Sequence, residues 1–301
     1  MKRAVVVGIA VAAVAVVGGG VAWWLLAQPP SPEQTAESYL RALSDGDFAA
    51  IEELLDQPHD LAQAESAFAG ASSYISDYTY EVHADSASTR SVRAEVELGG
   101  GPAVVGFVLT SQGGEWRLSG DFLAELRVST TLGDAVRVGD ALAEVDGPVP
   151  LFPAVYPVTP APAGILVGGT EAVVTNEHPV EVEIAASLSP TAIAAAQAQL
   201  DTYLDECARA ANAVPDGCGL RVPWAVDLTS LDTIAFRIDE RPVIVLSEDA
   251  TSFDATGGTI VATATGSART GGTESFTYRA DDWAVRGSVR FEGDEMVLAV
   301  R

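Results

Sequence analysis

Lysine is almost absent from this chain, because Lys2 is the single lysine among 301 residues. A phosphate-binding loop, a kinase site, a Schiff-base enzyme and the Ser-x-x-Lys site of penicillin-recognising enzymes each need a lysine in the folded part. A Gly-x-Ser-x-Gly turn is also missing, so a hydrolase of that class has no visible nucleophile. The sequence therefore predicts a protein that is not an enzyme, and it indicates no cofactor.

Histidine and cysteine are scarce as well. His59, His83 and His178 are isolated, with no second His or Cys at the spacing of metal ligands, and no Asp-x-Asp-x-Asp-Gly loop is present. We therefore predict no metal site. The two cysteines, Cys207 and Cys218, lie at the end of a predicted helix and after a turn, and we expect them to form a structural disulfide in an oxidising compartment.

Positive charge is the third shortage, with 17 Lys and Arg against 42 Asp and Glu and a formal net charge of −25. A surface of this kind repels nucleic acid and anionic lipid headgroups. We therefore predict that the protein does not bind DNA or RNA. The carboxylates favour solubility outside the cell, and binding of cations or basic partners is the alternative interpretation.

One long uncharged stretch stands out at residues 4–27, between Lys2 and Arg3 on one side and prolines on the other. At about 1.5 Å per residue it forms a helix of roughly 36 Å, enough to cross the ~30 Å hydrocarbon core of a bilayer. The expectation is one crossing, with residues 1–3 as a cytoplasmic stub. Trp23 and Trp24 then lie at the outer membrane interface.

A cleaved signal peptide and a buried core helix are the two alternatives for this stretch. The run is longer than the apolar core of a typical signal peptide, and its position beside two basic residues at the start disfavours a core helix. The favoured prediction is a single-pass protein of the cell membrane whose C-terminal domains lie outside the cytoplasm. Residues 28–32 then form a short linker.

Residues 33–125 show helix patterns first and strand patterns afterwards. Ser31 is a candidate helix cap, and Ala36, Tyr39, Leu40 and Leu43 follow at the spacing of one helical face. Alternating apolar residues from residue 74 onward predict strands separated by Gly-rich turns. This order predicts an α+β domain.

Four short segments in this region carry a family resemblance: PEQTA at 32–36, YLRAL at 39–43, DGDF at 45–48 and GEWRL at 114–118. In these residues the chain resembles the nuclear transport factor 2-like superfamily, especially its bacterial extracytoplasmic members. The resemblance implies a cone made of helices around a curved sheet. It also implies that the domain serves as a small-molecule enzyme, a binding pocket or a spacer, because the fold alone does not decide between these roles.

The rest of the chain divides into two further predicted domains. Residues 126–188 are strand-rich and predict a β-rich, sandwich-like connector. Residues 189–301 predict a second α+β domain, in which a helix at 190–212 packs on an antiparallel sheet. The sheet strands are expected at 233–238, 242–246, 259–266, 274–279, 283–292 and 296–300. The predicted fold class for the whole chain is therefore α+β.

His83 and Asp85 are the one polar pair that we single out as a speculative pocket. His83 ends a predicted strand, and Asp85 lies two residues on, where it could orient the imidazole ring. A histidine inside the cone could act as a general base. A solvated histidine at the end of a strand is the alternative interpretation.

The leading functional prediction is a non-catalytic binding or scaffolding protein of the bacterial cell envelope, anchored in the membrane and acting on an envelope protein partner. One alternative is a ligand-binding protein or small-molecule enzyme that uses the cone of residues 33–125. Another is an accessory to cell-wall synthesis, and a homodimer is compatible with each of these.

Overall fold

The computed structural model describes residues 29–301. The predicted membrane helix at residues 4–27, its cytoplasmic stub and both Trp23 and Trp24 lie outside the described residues. Within residues 29–301, no helix has the length and apolar character that a membrane crossing requires.

Residues 29–301 are mostly β, so the predicted α+β class is wrong. Eighteen strands but only four α-helices occur in this part of the chain, and each helix is short. The helical patterns in the sequence correspond to helices of at most 16 residues, whereas strands near the C-terminus extend to as many as 20 residues. The structure includes a half-barrel sheet.

Three helices begin the described part: α1 (Pro32–Asp45), α2 (Phe48–Glu52) and α3 (Ala62–Ala69). A capping box starts α1, because the Ser31 hydroxyl accepts a hydrogen bond from the Gln34 N–H (3.3 Å) while the Gln34 side chain accepts one from the Ser31 N–H (2.9 Å). The helix ends at Gly46, whose φ of +67° is the left-handed conformation that glycine tolerates best.

Four antiparallel strands follow in chain order: β1 (Ser76–Ala84), β2 (Thr89–Leu98), β3 (Gly101–Gln112) and β4 (Glu115–Ser119). Along β2, the buried residues Val92, Ala94 and Val96 alternate with exposed ones. One face of the sheet is therefore apolar, and the helices cover it.

Nine shorter strands follow: β5 (Ala124–Thr130), β6 (Ala135–Val138), β7 (Ala141–Glu144), β8 (Pro148–Leu151), β9 (Ala154–Pro160), β10 (Leu166–Val167), β11 (Thr170–Val174), β12 (Val180–Ile184) and β13 (Ser187–Leu188). They form a sheet of order β11-β9-β6-β7, a sheet of order β12-β5-β8 and the pair β10-β13. One hydrophobic core extends from Ala36 to Ile184 and joins these strands to the helices and the first sheet. We call residues 29–188 the N-terminal unit.

The C-terminal unit, residues 189–301, contains α4 (Ala192–Cys207) and one long sheet. Its strands are β14 (Leu228–Glu240), β15 (Val243–Leu246), β16 (Ser252–Ala268), β17 (Thr273–Glu292) and β18 (Glu295–Val300). Their order is β14-β16-β17-β18, and β15 pairs with the first residues of β16. Ala196, Leu200 and Leu204 form the buried stripe of α4 and pack in one hydrophobic core with residues of this sheet.

Candidate functional site

The turn between β17 and β18 joins the two units. Asp294 forms an ion pair with Arg137 (Nη2 to Oδ2, 2.8 Å), and its other carboxylate oxygen accepts a hydrogen bond from the Ala163 N–H (3.3 Å). Next to it, the Gly293 N–H donates to Asp134 Oδ1 (3.0 Å). These polar contacts fix where the C-terminal sheet meets the N-terminal unit.

A cleft of about 830 Å³ opens beside this contact. Four segments line it: residues 131–134 and 186–188 of the N-terminal unit, and residues 248–251 and 289–292 of the C-terminal unit. The volume lies within the range of small-molecule sites, roughly 300–1,000 Å³. Because both units supply walls, the cleft exists only when the units are in contact.

The wall at residues 248–251 belongs to a turn that its own hydrogen bonds hold in place. The Ser247 hydroxyl donates to Asp249 (2.6 Å), and the same carboxylate accepts from the Thr251 N–H (3.2 Å). These bonds, first of all the one from Ser247, lower the pKa of the Asp249 carboxyl. Ala250 sits at a φ of +53°, a conformation that costs a non-glycine residue about 1–2 kcal/mol.

Charge is distributed unevenly in the cleft. Four carboxylates line it, against the single guanidinium of Arg290, whose nearest carboxylate oxygen is Glu292 Oε1 at 4.0 Å. The apolar part of the wall includes Leu132, Leu188 and Phe291. The carboxylates are those of Asp134, Glu248, Asp249 and Glu292. Such a cleft suits a ligand with an apolar body and a positive charge.

His83 and Asp85 do not meet in a pocket. Alternation along β1 turns Tyr80 and Val82 toward the helices and leaves His83 on the outer face, with 58% of its side chain exposed. The His83 ring nitrogen Nε2 lies 3.4 Å from Glu81, while Asp85 accepts a hydrogen bond from the Ser91 hydroxyl (3.2 Å). The structure therefore places this pair at a solvated strand end.

Aromatic side chains contribute much of the core that the predicted cone shares with the strands after it. Tyr39 packs edge-on against Phe107 with ring centroids 4.6 Å apart, and both are buried. The Tyr156 hydroxyl donates to the Phe152 carbonyl (2.7 Å), and burial raises the pKa of both Tyr39 and Tyr156. Tyr39 and Phe107 of the predicted cone are thus part of the packed hydrophobic core.

Two histidines that are far apart in sequence line one smaller cleft. His59 and His178 both face a space of about 440 Å³, and the His59 Nε2 lies 3.5 Å from Asp56 Oδ1. Sequence spacing gave no signal for this proximity. Within residues 29–301, no cluster of three or more His, Cys, Asp or Glu side chains is arranged to hold a metal ion.

The predicted disulfide is confirmed. Cys207 and Cys218 are bonded, with Cα atoms 5.8 Å apart, and both are buried. The Cys218 carbonyl accepts a hydrogen bond from the Trp283 indole N–H (2.9 Å). The bridge therefore ties the end of α4 to the loop that follows it, and Trp283 ties this loop to β17.

The sequence matches no protein-family profile, and no curated protein is significantly similar to it. Every functional conclusion therefore rests on the residues of this chain.

Proposed function

We propose that this protein is a non-catalytic binding and scaffolding module of the bacterial cell envelope, and that it holds its partner in the cleft between the two units. The observation that carries the proposal is the cleft itself, with its apolar wall, four carboxylates and hydrogen-bonded turn at 247–252. We propose that the bound group is a basic, partly apolar segment of an envelope protein, because the carboxylates attract a positive charge.

The proposed location is the outer side of a cell membrane, with a single crossing at residues 4–27. The composition of that stretch supports the crossing, as does the pair of basic residues before it. The disulfide supports an oxidising compartment, since such bonds are rare in the cytosol.

We further propose that residues 31–125 are related to the nuclear transport factor 2-like superfamily and act as a spacer. The order of three helices and a four-stranded antiparallel sheet supports the relationship. The buried aromatic residues Tyr39 and Phe107 favour a spacer over a pocket, because their rings pack against each other in the core of this domain.

Site-specific photo-crosslinking in cells tests the cleft. A photoreactive residue replaces Thr251 in the cleft of the full-length protein, and the matched control replaces Thr256, which is exposed on the adjoining strand outside it. We expect a reproducible protein adduct from position 251 and none from position 256. Absence of an adduct at 251, or equal adducts at both positions, would overturn the proposal.

A charge reversal sharpens this experiment. Glu248→Arg removes one carboxylate from the cleft, whereas Glu95→Arg makes the same change on the exposed face of β2. We expect the adduct at position 251 to fall about tenfold with Glu248→Arg and to persist with Glu95→Arg. Equal loss with both variants would show that overall charge, and not the cleft, drives the binding.

A further inference from the structure

An exposed strand edge has unpaired backbone N–H and C=O groups that can pair with a strand of another molecule, and natural sheets cover or interrupt such edges. In the C-terminal sheet, glutamine side chains of α4 cover two edges. The Gln197 amide accepts from the Ile244 N–H (2.9 Å) and donates to the Pro242 carbonyl (3.2 Å), as a neighbouring strand would do for β15. On the other side of the helix, Gln199 donates to the Met296 carbonyl of β18 (2.7 Å).

The edge of β14 is covered as well. Ala211, in the loop after α4, exchanges two backbone hydrogen bonds with Ile234, at 2.9 and 2.8 Å. Near the middle of β17, Gly219 lies against the Ala284 carbonyl, and Trp283 donates its indole N–H to Cys218. The protein thus covers its strand edges at several points with separate devices.

In the described part of the chain, the first half of β17 has no such cover. Residues 273–280 pair with β16 on one side, and β18 begins its pairing only at Gly287. Among residues 29–301, no hydrogen bond reaches the backbone of residues 273–282 on the side away from β16. This free edge, residues 273–282, belongs to a three-stranded arm formed by β14, β16 and the first half of β17.

The middle of this edge, residues 275–278, carries no charge that would repel a second copy of the same chain. Two molecules with a net charge of −25 repel each other at a distance, so a contact between two copies is least opposed where the local surface is uncharged. The outward face of the arm carries small uncharged residues around position 277. They are Thr233, Ala235, Thr263, Thr265, Ser275 and Thr277.

The free edge is also compatible with itself in an antiparallel register centred on Thr277. In this register a two-fold axis passes between Thr277 and its copy. Phe276 of each molecule then lies opposite Tyr278 of the other, which gives one aromatic pair on each side of the axis. Glu274 then faces Ala280, and Arg279 faces Ser275. No charged residue of the free edge opposes a like charge in this register.

We propose that a second copy of the chain adds to the free edge of β17, so that two three-stranded arms form one continuous six-stranded sheet about a two-fold axis at Thr277. The half-buried rings of Phe276 and Tyr278 gain a neighbour, and the open backbone groups of both edges become paired.

Cysteine crosslinking of the full-length protein in cells tests this geometry, since both native cysteines are already bonded. Thr277→Cys places two thiols across the axis with Cα atoms about 5 Å apart, within reach of a disulfide. Thr263→Cys is the matched control, because it lies beside Thr277 on the same face but one strand further in, roughly 14 Å from its copy.

We expect a disulfide-linked dimer with Thr277→Cys and none with Thr263→Cys. Equal crosslinking at both positions, or none at 277, would overturn the proposal. A disulfide between residue 277 and a different protein would also overturn it, in favour of a partner that supplies the added strand.

A pair of charge variants tests the register independently. Ser275→Arg places a second guanidinium opposite Arg279 of the other copy on each side of the axis, whereas Ser275→Glu places a carboxylate there. Both variants lose the same hydrogen bond to Thr265 (2.7 Å). Light scattering of the purified full-length protein should show that the Ser275→Arg dimer dissociates at a protein concentration about tenfold higher than the Ser275→Glu dimer does. The same dissociation for both variants would contradict the register.

Discussion

The two units build their hydrophobic cores differently. In the N-terminal unit, the largest buried side chains are aromatic and come from distant parts of the chain. In the C-terminal unit, the apolar stripe of α4 packs against residues of one continuous sheet. Tyr39, Phe68, Phe152 and Tyr156 are all fully buried in the first unit. In the second, Phe253 and Trp283 are buried to a similar degree, and both pack in one core with the buried stripe of α4. The first core therefore depends on rings from distant segments, and the second on the position of α4.

The two units also differ in how they cover strand edges. In the N-terminal unit, loops return to the sheet, as where Leu118 exchanges backbone hydrogen bonds with Leu54 and Asp56. In the C-terminal unit, side chains of a single helix cover two edges. Within residues 29–301, the first half of β17 has no such cover, and the contact of this unit with the first unit forms the cleft.

Phe152→Ala is the change with the largest expected effect on this comparison. Phe152 is fully buried, and its ring lies 5.3 Å from that of Phe68 and 6.2 Å from that of Phe122. Removal of a buried phenylalanine ring costs about 3–5 kcal/mol. We expect hydrogen exchange to accelerate across the N-terminal unit while α4 and its sheet stay protected.

Phe236→Ala is the matched control, because Phe236 is only half-buried and lies in the C-terminal unit. Its effect should be smaller and confined to that unit. Equal loss of protection in both units with Phe152→Ala would contradict the idea of two separately packed cores.

Removal of the disulfide is the next test, aimed at the C-terminal unit. Replacement of both Cys207 and Cys218 by serine frees the loop between α4 and β14, and the chain-entropy model gives a loss of about 3 kcal/mol for a ring of this size. We expect a lower midpoint of denaturant unfolding and faster exchange at residues 208–217. Reduced wild-type protein should unfold at the same denaturant concentration as the double variant. A difference between them would mean that the serine side chains themselves change the stability.

Local features of the sequence predicted local structure well. The capping signal at Ser31 and the stripe that follows it correspond to α1, and the cysteine spacing after α4 corresponds to the disulfide. The break predicted between strands 274–279 and 283–292 was wrong. Asp281 and Asp282 lie exposed on the continuous strand β17, where Arg279 pairs with Asp281 at 2.7 Å.

Features that depend on long-range contacts could not be predicted. The cleft joins Asp134 to Glu248, which are more than a hundred residues apart, and no pattern in either segment indicates the other. The predicted fold class was wrong for a related reason. The spacing of apolar residues identifies a helix or a strand, but it does not indicate how many strands share one sheet. For the same reason, the glutamines that cover strand edges had no recognisable signal.

Gln197→Leu tests the role of α4 as a cover for the sheet edge. The substitution keeps a side chain of similar size but leaves the Ile244 N–H and the Pro242 carbonyl without their partner, and an unsatisfied buried group costs about 1–3 kcal/mol. Denaturant unfolding should show this loss. Gln199→Leu removes a single bond to a carbonyl and should cost less. A larger effect at 199 than at 197 would contradict this assignment.

The smallest expected effect is a pH dependence confined to the C-terminal arm. Partial burial, and then the hydrogen bond from its hydroxyl to Asp227 (2.7 Å), raise the pKa of Tyr278 to about 12. A tyrosine hydroxyl is neutral below its pKa, so a higher pKa in the folded protein than in the unfolded chain means that folding favours the neutral hydroxyl. Its stabilising contribution is complete below pH 10, the ordinary pKa, and disappears as the pH rises toward 12. Wild-type protein should therefore lose stability between these values faster than Tyr278→Phe, as measured by denaturant unfolding at each pH. Parallel curves for the two proteins would show that the Asp227 contact does not persist in solution.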